Sequence, residues 1–192
     1  MSSPHATLPT PGADPAAASA NRTPDGAASA APLPYDVGLL VLRLAVGLIL
    51  AAHGAQKLFG WFGGGGIEGT VGFFTSVGYP SGKTMAVVAG LTETFGGLAL
   101  VLGLLAPLAG AAVFGTMLNA LAVKWGGGFF APDGVEYELL FIGGAAALTL
   151  MGPGRLAVDR LLPVLRTHRL LHGVAALLLG AVVAGAVLLV RS

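Results

Sequence analysis

The sequence predicts an all-α membrane protein, a polytopic bundle of helices in a lipid bilayer. Of its 192 residues, 55% are hydrophobic and only 10% are charged, whereas soluble domains carry about 25% charged residues. The chain also contains five apolar runs close to the length that crosses a hydrocarbon core of about 30 Å. They cover residues 37–56, 84–105, 108–123, 137–151 and 170–190.

The segment before the first run is predicted to be a disordered cytoplasmic tail. Residues 1–34 contain two Leu and no aromatic residue, so they cannot bury enough apolar surface to offset the entropy of ordering. Residues 35–160 are predicted to form a four-helix membrane domain. Residues 161–192 are predicted to form a basic linker and an extra C-terminal transmembrane helix.

The connections between the spans carry helix signals of their own. After the first span, Ile67, Val71 and Phe74 recur at helical spacing, which indicates a short helix at the membrane interface. Pro107 follows the second span and can begin the third. The second and third spans are therefore predicted to form an antiparallel hairpin.

Basic residues indicate the orientation. Positive charge concentrates in cytoplasmic loops, and the connection before the last span holds Arg155, Arg160, Arg166 and Arg169. We therefore predict that the N-terminus and this connection face the cytoplasm, with the chain in the inner (plasma) membrane.

Ionisable side chains inside the spans mark the candidate site, because a charge in hydrocarbon costs at least about 2.5 kcal/mol. From a rise of 1.5 Å per residue, Glu93 and Asn119 lie at nearly the same depth, about 16 and 18 Å from the cytoplasmic boundary. Arg43 lies at about 9 Å and can reach upward. We expect one polar layer of Arg43, Glu93 and Asn119, with His53 and Lys57 at its outer mouth.

Glycines accompany these residues on both helices. Gly47 and Gly54 share the arginine face of the first span, and Gly90 and Gly97 flank the glutamate on the second. Small residues permit two helix backbones to approach closely. These four glycines are therefore predicted to pack the first two spans together.

The role of the polar layer has more than one interpretation. An Arg43–Glu93 ion pair can serve only to fix helix packing, or the same residues can form a proton path or a headgroup site. His53 is either an interfacial histidine bonded to a carbonyl or part of a ligand site. A haem with two axial histidines needs a second histidine at matching depth, which no span offers, and no metal site is predicted.

A second outer segment, "KWGGGFFAPDGVEYELL", follows the third span. Its aromatic residues are typical of membrane-interface anchors. Its carboxylates, including Glu136 and Glu138, are expected to form a solvated rim.

Charge and cysteine content exclude two classes of function. A net charge of +1 gives no electrostatic reason to expect nucleic acid as a partner. Without cysteine, the chain has no thiolate nucleophile, CxxC pair or Cys-ligated cluster. We therefore expect no electron-transfer cofactor of its own.

Five ordered segments between residues 39 and 159 resemble the DoxX family of small bacterial membrane proteins. They are "RLAVGLILAAHGAQKLFGWFGG", "GTVGFFTSVGYP", "GLTETFGGLALVLGLLAPLAG", "GGFFAPDGVEYELLFIGGAAALTL" and "MGPGRLAVD". The resemblance implies a four-helix membrane core and association with oxidoreductase complexes. The family's signature positions fall on Arg43, Gly47, His53, Gly54, Lys57, Glu93, Gly97, Gly103, Gly152, Gly154 and Asp159. Many relatives have a histidine where this chain has Lys124 and Trp125.

The sequence and the resemblance together favour a membrane subunit of, or partner to, a quinone-linked oxidoreductase system. A quinone is the candidate ligand, and the partners expected are the lipid bilayer, a redox enzyme and, for an oligomer, further copies of the chain. The alternatives are a small-solute or proton-coupled permease and a membrane scaffold for peripheral enzymes. Whether the chain is itself an enzyme is left open.

Overall fold

The computed structural model describes residues 33–162 and 168–191, which form six α-helices, two short 3-10 helices and no strand. The α-helices are α1 (Leu33–Phe59), α2 (Gly66–Ser76), α3 (Gly82–Leu102), α4 (Ala106–Lys124), α5 (Glu136–Met151) and α6 (Leu170–Leu189). The 3-10 helices cover Trp61–Gly63 and Val158–Leu161. The all-α prediction is confirmed.

The predicted tail lies almost wholly outside the described residues. Its last two residues, Leu33 and Pro34, already belong to the first turn of α1. Part of the predicted basic linker, including Arg166, lies outside the described residues as well.

Four helices of the described segments are long and apolar enough to cross a membrane: α1, α3, α4 and α6. They correspond to the first, second, third and fifth predicted spans. The fourth predicted span is the helix α5, whose 16 residues extend about 24 Å, less than a hydrocarbon core. A fifth complete crossing therefore stays a prediction. The short helix expected after the first span is α2.

The central contact of the bundle is the antiparallel crossing of α1 and α3, where glycines bring the two backbones together. A Cβ added at Gly97 would lie 2.5 Å from Gly47 O and 2.7 Å from Ala51 N. Two turns along α1, a Cβ at Gly54 would meet the backbone of Gly90 and the side chain of Thr94 at similarly short range. Only glycine fits these positions, so they fix the register of α1 against α3.

The turn between α3 and α4 is closed by a residue that follows much later in the chain. Gly103 ends α3 in the left-handed conformation, with φ of 67°, which glycine adopts without strain. The Asp159 carboxylate then accepts hydrogen bonds from the N–H groups of Leu105 and Ala106, at 2.7 and 2.9 Å. A carboxylate at a helix N-terminus also interacts favourably with the helix dipole, so Asp159 stabilises the start of α4.

The last helix, α6, packs against α4 and α5. A Cβ added at Gly180 would lie 2.5 Å from Ala111 O, and one at Gly173 would lie 2.6 Å from Thr149 O. Glycines therefore bring α6 as close to α4 and α5 as α1 is to α3. These two contacts make α6 an integral part of the bundle.

We expect Gly97→Ala to destabilise the protein by about 1–3 kcal/mol, because the added methyl group overlaps the α1 backbone. The matched control is Gly143→Ala on α5, where a Cβ has nothing within 4 Å and alanine is the better helix former. Thermal unfolding of the detergent-purified proteins, followed by circular dichroism, measures both. Equal melting temperatures for the two variants would show that the crossing tolerates a side chain.

Candidate functional site

The end of the bundle that holds Lys57 and Lys124, which we call the lysine end, contains a cavity of about 680 Å³. This volume lies within the range of about 300–1,000 Å³ that is typical of small-molecule sites. Side chains from all six helices and from the loop before α5 line it, and most of them are apolar. We call it the polar cavity after the polar residues in its wall, which are His53, Lys57, Tyr79, Thr92, Glu93, Thr116, Asn119, Lys124, Glu136, Tyr137 and Glu138.

An ion pair between α1 and α3 lies in the cavity wall. Lys57 Nζ donates a hydrogen bond to Glu93 Oε2 at 2.6 Å. The glutamate is buried, with 4% of its surface exposed, whereas the lysine side chain is 28% exposed. A buried carboxylate requires a charged or hydrogen-bonding partner, and the last turn of α1 supplies it.

A second ion pair joins α4 to α5 in the same cavity. Lys124 Nζ lies 3.1 and 3.4 Å from the two carboxylate oxygens of Glu138, and Glu138 is 5% exposed. The expectation that the carboxylates of this segment form a solvated rim is therefore wrong for Glu138, because the first turn of α5 points into the bundle. Glu136 instead accepts a hydrogen bond from Ala131 N at 2.9 Å and holds the loop before α5.

His53 and Tyr137 lie between these two ion pairs. Their ring centroids are 5.3 Å apart. His53 is within electrostatic range of Lys57 and Glu138, and Tyr137 is within range of both glutamates. The Tyr137 hydroxyl is buried, yet it has no hydrogen-bond partner among the described residues. Tyr137 is a residue of the cavity wall, and its hydroxyl is a donor that no described protein group uses.

Asn119 belongs to a third polar group, next to α6. Its Nδ2 donates to Gly115 O at 3.1 Å and to Ala184 O at 3.4 Å. Its Oδ1 accepts a hydrogen bond from the Tyr79 hydroxyl at 3.3 Å. Burial raises the pKa of Tyr79, so this hydroxyl stays protonated and acts as the donor.

Comparison with known proteins agrees with the resemblance. A family model described as DoxX matches residues 38–125. A Bacillus subtilis protein named "Putative oxidoreductase CatD" is 33% identical over 126 residues, which cover 65% of this chain and 87% of that protein. The chain belongs to the DoxX family. The "Inner membrane protein YphA" of Escherichia coli is 30% identical over 129 residues, 64% of this chain and 88% of that relative. No solved structure gives a significant match.

Family membership and the four long apolar helices together identify a multi-pass membrane protein of the DoxX family. The matched residues 38–125 contribute both lysines of the cavity and Glu93. Tyr137 and Glu138, on α5, lie beyond them. These two residues and Lys124 were not among the predicted site residues. Their position in one aromatic and acidic segment at the lysine end of the bundle was the available signal.

Arg43 does not belong to the polar layer predicted with Glu93 and Asn119. Arg43 is 2% exposed, and its guanidinium donates hydrogen bonds to Pro153 O and Leu156 O. The register of the DoxX helices explains the difference. Because α1 and α3 are antiparallel, Arg43 lies beside Gly103, ten residues and about 15 Å along α3 from Glu93.

The expected Arg43–Glu93 ion pair is therefore replaced by two separate arrangements. At the lysine end, Glu93 pairs with Lys57. At the opposite end, which we call the arginine end, Arg43 binds backbone carbonyls of the loop after α5. Asp36 binds the same loop, accepting a hydrogen bond from Arg155 N at 2.9 Å. These contacts attach the loop to α1, so the charged residues of the arginine end hold the fold together.

None of the described residues forms a group of three or more His, Cys, Asp or Glu side chains that could bind a metal ion. His168, one of two histidines four residues apart before and within α6, is hydrogen-bonded to Leu150 O at 2.9 Å. That contact connects α6 to the end of α5.

Arg43 donates to two backbone carbonyls and interacts electrostatically with the buried carboxylate of Asp159. We expect Arg43→Met to lower the free energy of unfolding by about 2–4 kcal/mol, because it leaves the carbonyls without a donor and Asp159 without this cation. Lys83→Met, at an exposed lysine in the first turn of α3, is the control and should have little effect. Thermal unfolding in detergent measures both variants. Similar melting temperatures for the two would show that Arg43 does not hold the loop.

We expect Lys57 and Glu93 to be energetically coupled. Lys57→Met leaves a buried carboxylate opposite an apolar side chain and should cost about 3 kcal/mol, whereas the double variant Lys57→Met/Glu93→Met should recover most of that loss. A double-mutant cycle on melting data gives the coupling energy. Additive losses would contradict the ion pair.

Proposed function

We propose that this DoxX-family chain is a membrane subunit of, or membrane partner to, an oxidoreductase system, and that its polar cavity binds a quinone. The observation that carries the proposal is Tyr137, which lies in the cavity wall beside two ion pairs and whose buried hydroxyl has no partner among the described residues. A buried, unused donor is costly unless a ligand or a water satisfies it.

A quinone matches the chemistry of the cavity. Its ring is apolar and suits the wall, while its two carbonyl oxygens accept hydrogen bonds. Tyr137 and Lys57 are side chains of the cavity wall that can donate these hydrogen bonds, and His53 lies between the two ion pairs. Two such donors, placed on α5 and α1, would orient the ring between the helices.

Proton exchange is the second contribution that we assign to the chain. Reduction of a quinone to a quinol takes up two electrons and two protons, and oxidation returns them. Glu93 and His53 are titratable groups in the cavity wall that can accept or release protons at the carbonyl oxygens. The electrons would pass to or from a partner enzyme with its own cofactor, since this chain has no cysteine to hold an iron–sulfur cluster.

The names of the relatives support this proposal at a general level. The Bacillus subtilis relative is named as an oxidoreductase, and the Escherichia coli relative as an inner membrane protein. We propose that this chain also lies in the inner membrane, with the N-terminus and the arginine end on the cytoplasmic side. The described part of the arginine-rich connection, Arg155, Arg160 and Arg169, supports that orientation by the positive-inside rule.

We expect Tyr137→Phe to weaken quinone binding about tenfold while leaving the melting temperature unchanged or higher. The substitution removes only a hydroxyl that has no partner in the protein, and one hydrogen bond to a ligand contributes about 1–1.5 kcal/mol. Isothermal titration of the purified protein in lipid nanodiscs with decylubiquinone measures the affinity. Tyr35→Phe, at an exposed tyrosine in the first turn of α1, is the matched control.

Two results would contradict the proposal. One is wild-type protein that binds neither ubiquinone nor menaquinone analogues. The other is flux of a small solute or of protons in vesicles that contain only this chain, which would favour the permease instead. Normal quinone affinity in Tyr137→Phe would remove Tyr137 from the site.

A further inference from the structure

The polar cavity reaches the outside of the bundle between α3 and α6. Helix α4 packs against both of these helices and lies between them. Val88 on α3, Ala112 on α4 and Val183 on α6 all line the cavity. All three are exposed as well, Val88 at 51% and Val183 at 53%. Residues that line a cavity and still face outward mark the place where it opens.

This opening lies at the depth of the membrane interior. Val88 is six residues from the start of α3 and Val183 six residues from the end of α6, so both lie about 9 Å from the lysine end. Ala112 is six residues from the opposite end of α4. All three helices have the length and composition of membrane spans. The opening therefore faces hydrocarbon rather than water.

Polar contacts close the gap on the side of the lysine end. Arg191, just after α6, donates from Nε to Val77 O at 2.7 Å and from Nη1 to Ala122 O at 3.4 Å. These bonds connect the end of α6 to the loop between α2 and α3 and to α4. Asn119 adds its hydrogen bond to Ala184 O just below them. Beside α6, the cavity is thus closed on the side of the lipid headgroups and open on the side of the lipid chains.

We infer that Val88, Ala112 and Val183 frame a lateral entrance, through which the apolar tail of a lipid-soluble ligand extends while its polar head lies near Lys57 and Glu93. The inference rests on the proposed function, because it takes the quinone of that site as its ligand. Continuity argues for this occupant: one cavity joins an apolar opening at hydrocarbon depth to a polar interior. An isoprenoid or alkyl chain attached to a quinone ring has the same two parts.

Helix α6 gives the entrance its second side. It lies outside residues 38–125, which the family model matches, and it contributes Val183, Ala184 and Val187 to the cavity wall. On the α4 side, the small side chains of Ala112 and Thr116 leave room for a chain to lie between the helices. The ligand's tail would therefore be recognised partly by a helix that the DoxX match does not include.

A pair of probes separates the tail from the head. Decylubiquinone carries an alkyl tail, and 2,3-dimethoxy-5-methyl-1,4-benzoquinone has the same ring without one. We expect Ala112→Trp to weaken binding of decylubiquinone by at least about tenfold, because each methylene displaced from an apolar groove weakens binding severalfold. Binding of the tailless probe should stay as in the wild type. Titration in nanodiscs measures both affinities.

Control variants keep the result interpretable. Leu140→Trp, on α5 at a position 72% exposed and absent from the cavity wall, should change neither affinity. Val183→Trp adds the same bulk from α6, on the opposite side of the entrance, and should have the same effect as Ala112→Trp. It replaces Ala112→Trp as the test if Ala112→Trp folds poorly.

The outcomes separate this inference from the function on which it rests. Wild-type protein that binds neither probe contradicts the proposed function. Quinone binding that Ala112→Trp and Val183→Trp leave unchanged overturns the lateral entrance alone. Equal affinity of the wild type for both probes, or equal weakening of both probes by the tryptophans, also overturns it, because the tail would then not occupy the opening.

Discussion

The close crossing of α1 and α3 is the contact on which the remaining arrangement depends. Gly47 and Gly97 bring the two backbones together, and this approach fixes how far each helix is displaced along the other. The register then decides the partner of every charged residue on α1. Lys57 falls beside Glu93, and Arg43 falls beside Gly103. A shift of one helical turn, about 5.4 Å, would separate both contacts at once.

The two ends of the bundle satisfy their buried charges in different ways. At the arginine end, Arg43 and Asp36 bind mainly backbone groups of the loop after α5, and Asp159 binds the first N–H groups of α4. Backbone groups of an ordered loop have fixed positions, so these contacts suit a structural role. At the lysine end, Lys57 and Lys124 pair with glutamate side chains in a cavity wall. Side-chain pairs can reorient around a ligand, which suits a binding role.

Helix α6 changes what the family core can enclose. Residues 38–125 supply most of α1 and all of α2 to α4, but the cavity needs α5 for Tyr137 and Glu138 and α6 for its wall beside α4. Gly173 and Gly180 bring the first half of α6 close to α5 and α4, and Arg191 connects the end of α6 to the neighbouring loop. The C-terminal helix, which resembles no family segment, thus completes the wall of the cavity that the family residues begin.

The sequence by itself determined that the chain folds in a membrane, that it is helical and which polar residues are candidates for a site. The membrane environment follows from the low charge and the long apolar runs, and the short helix α2 follows from local spacing. Glu93 and Lys57 became candidate site residues because of the cost of placing a charge in hydrocarbon. Four of the five polar residues named for the site line one cavity. Each of these conclusions uses only the residue's own chemistry or its neighbours within a few turns.

Tertiary structure alone decided which of these residues meet. Depth estimates placed Arg43 within reach of Glu93, but the arginine found carbonyls of residues 153 and 156, more than a hundred positions away. Glu138 was expected in solvent, yet the direction of the first turn of α5 buries it against Lys124. Helical periodicity fixes which side chains share a face, whereas partner choice depends on helix rotation, on register and on where a distant loop returns. Those quantities are set by packing among all the helices, and no local stretch of sequence contains them.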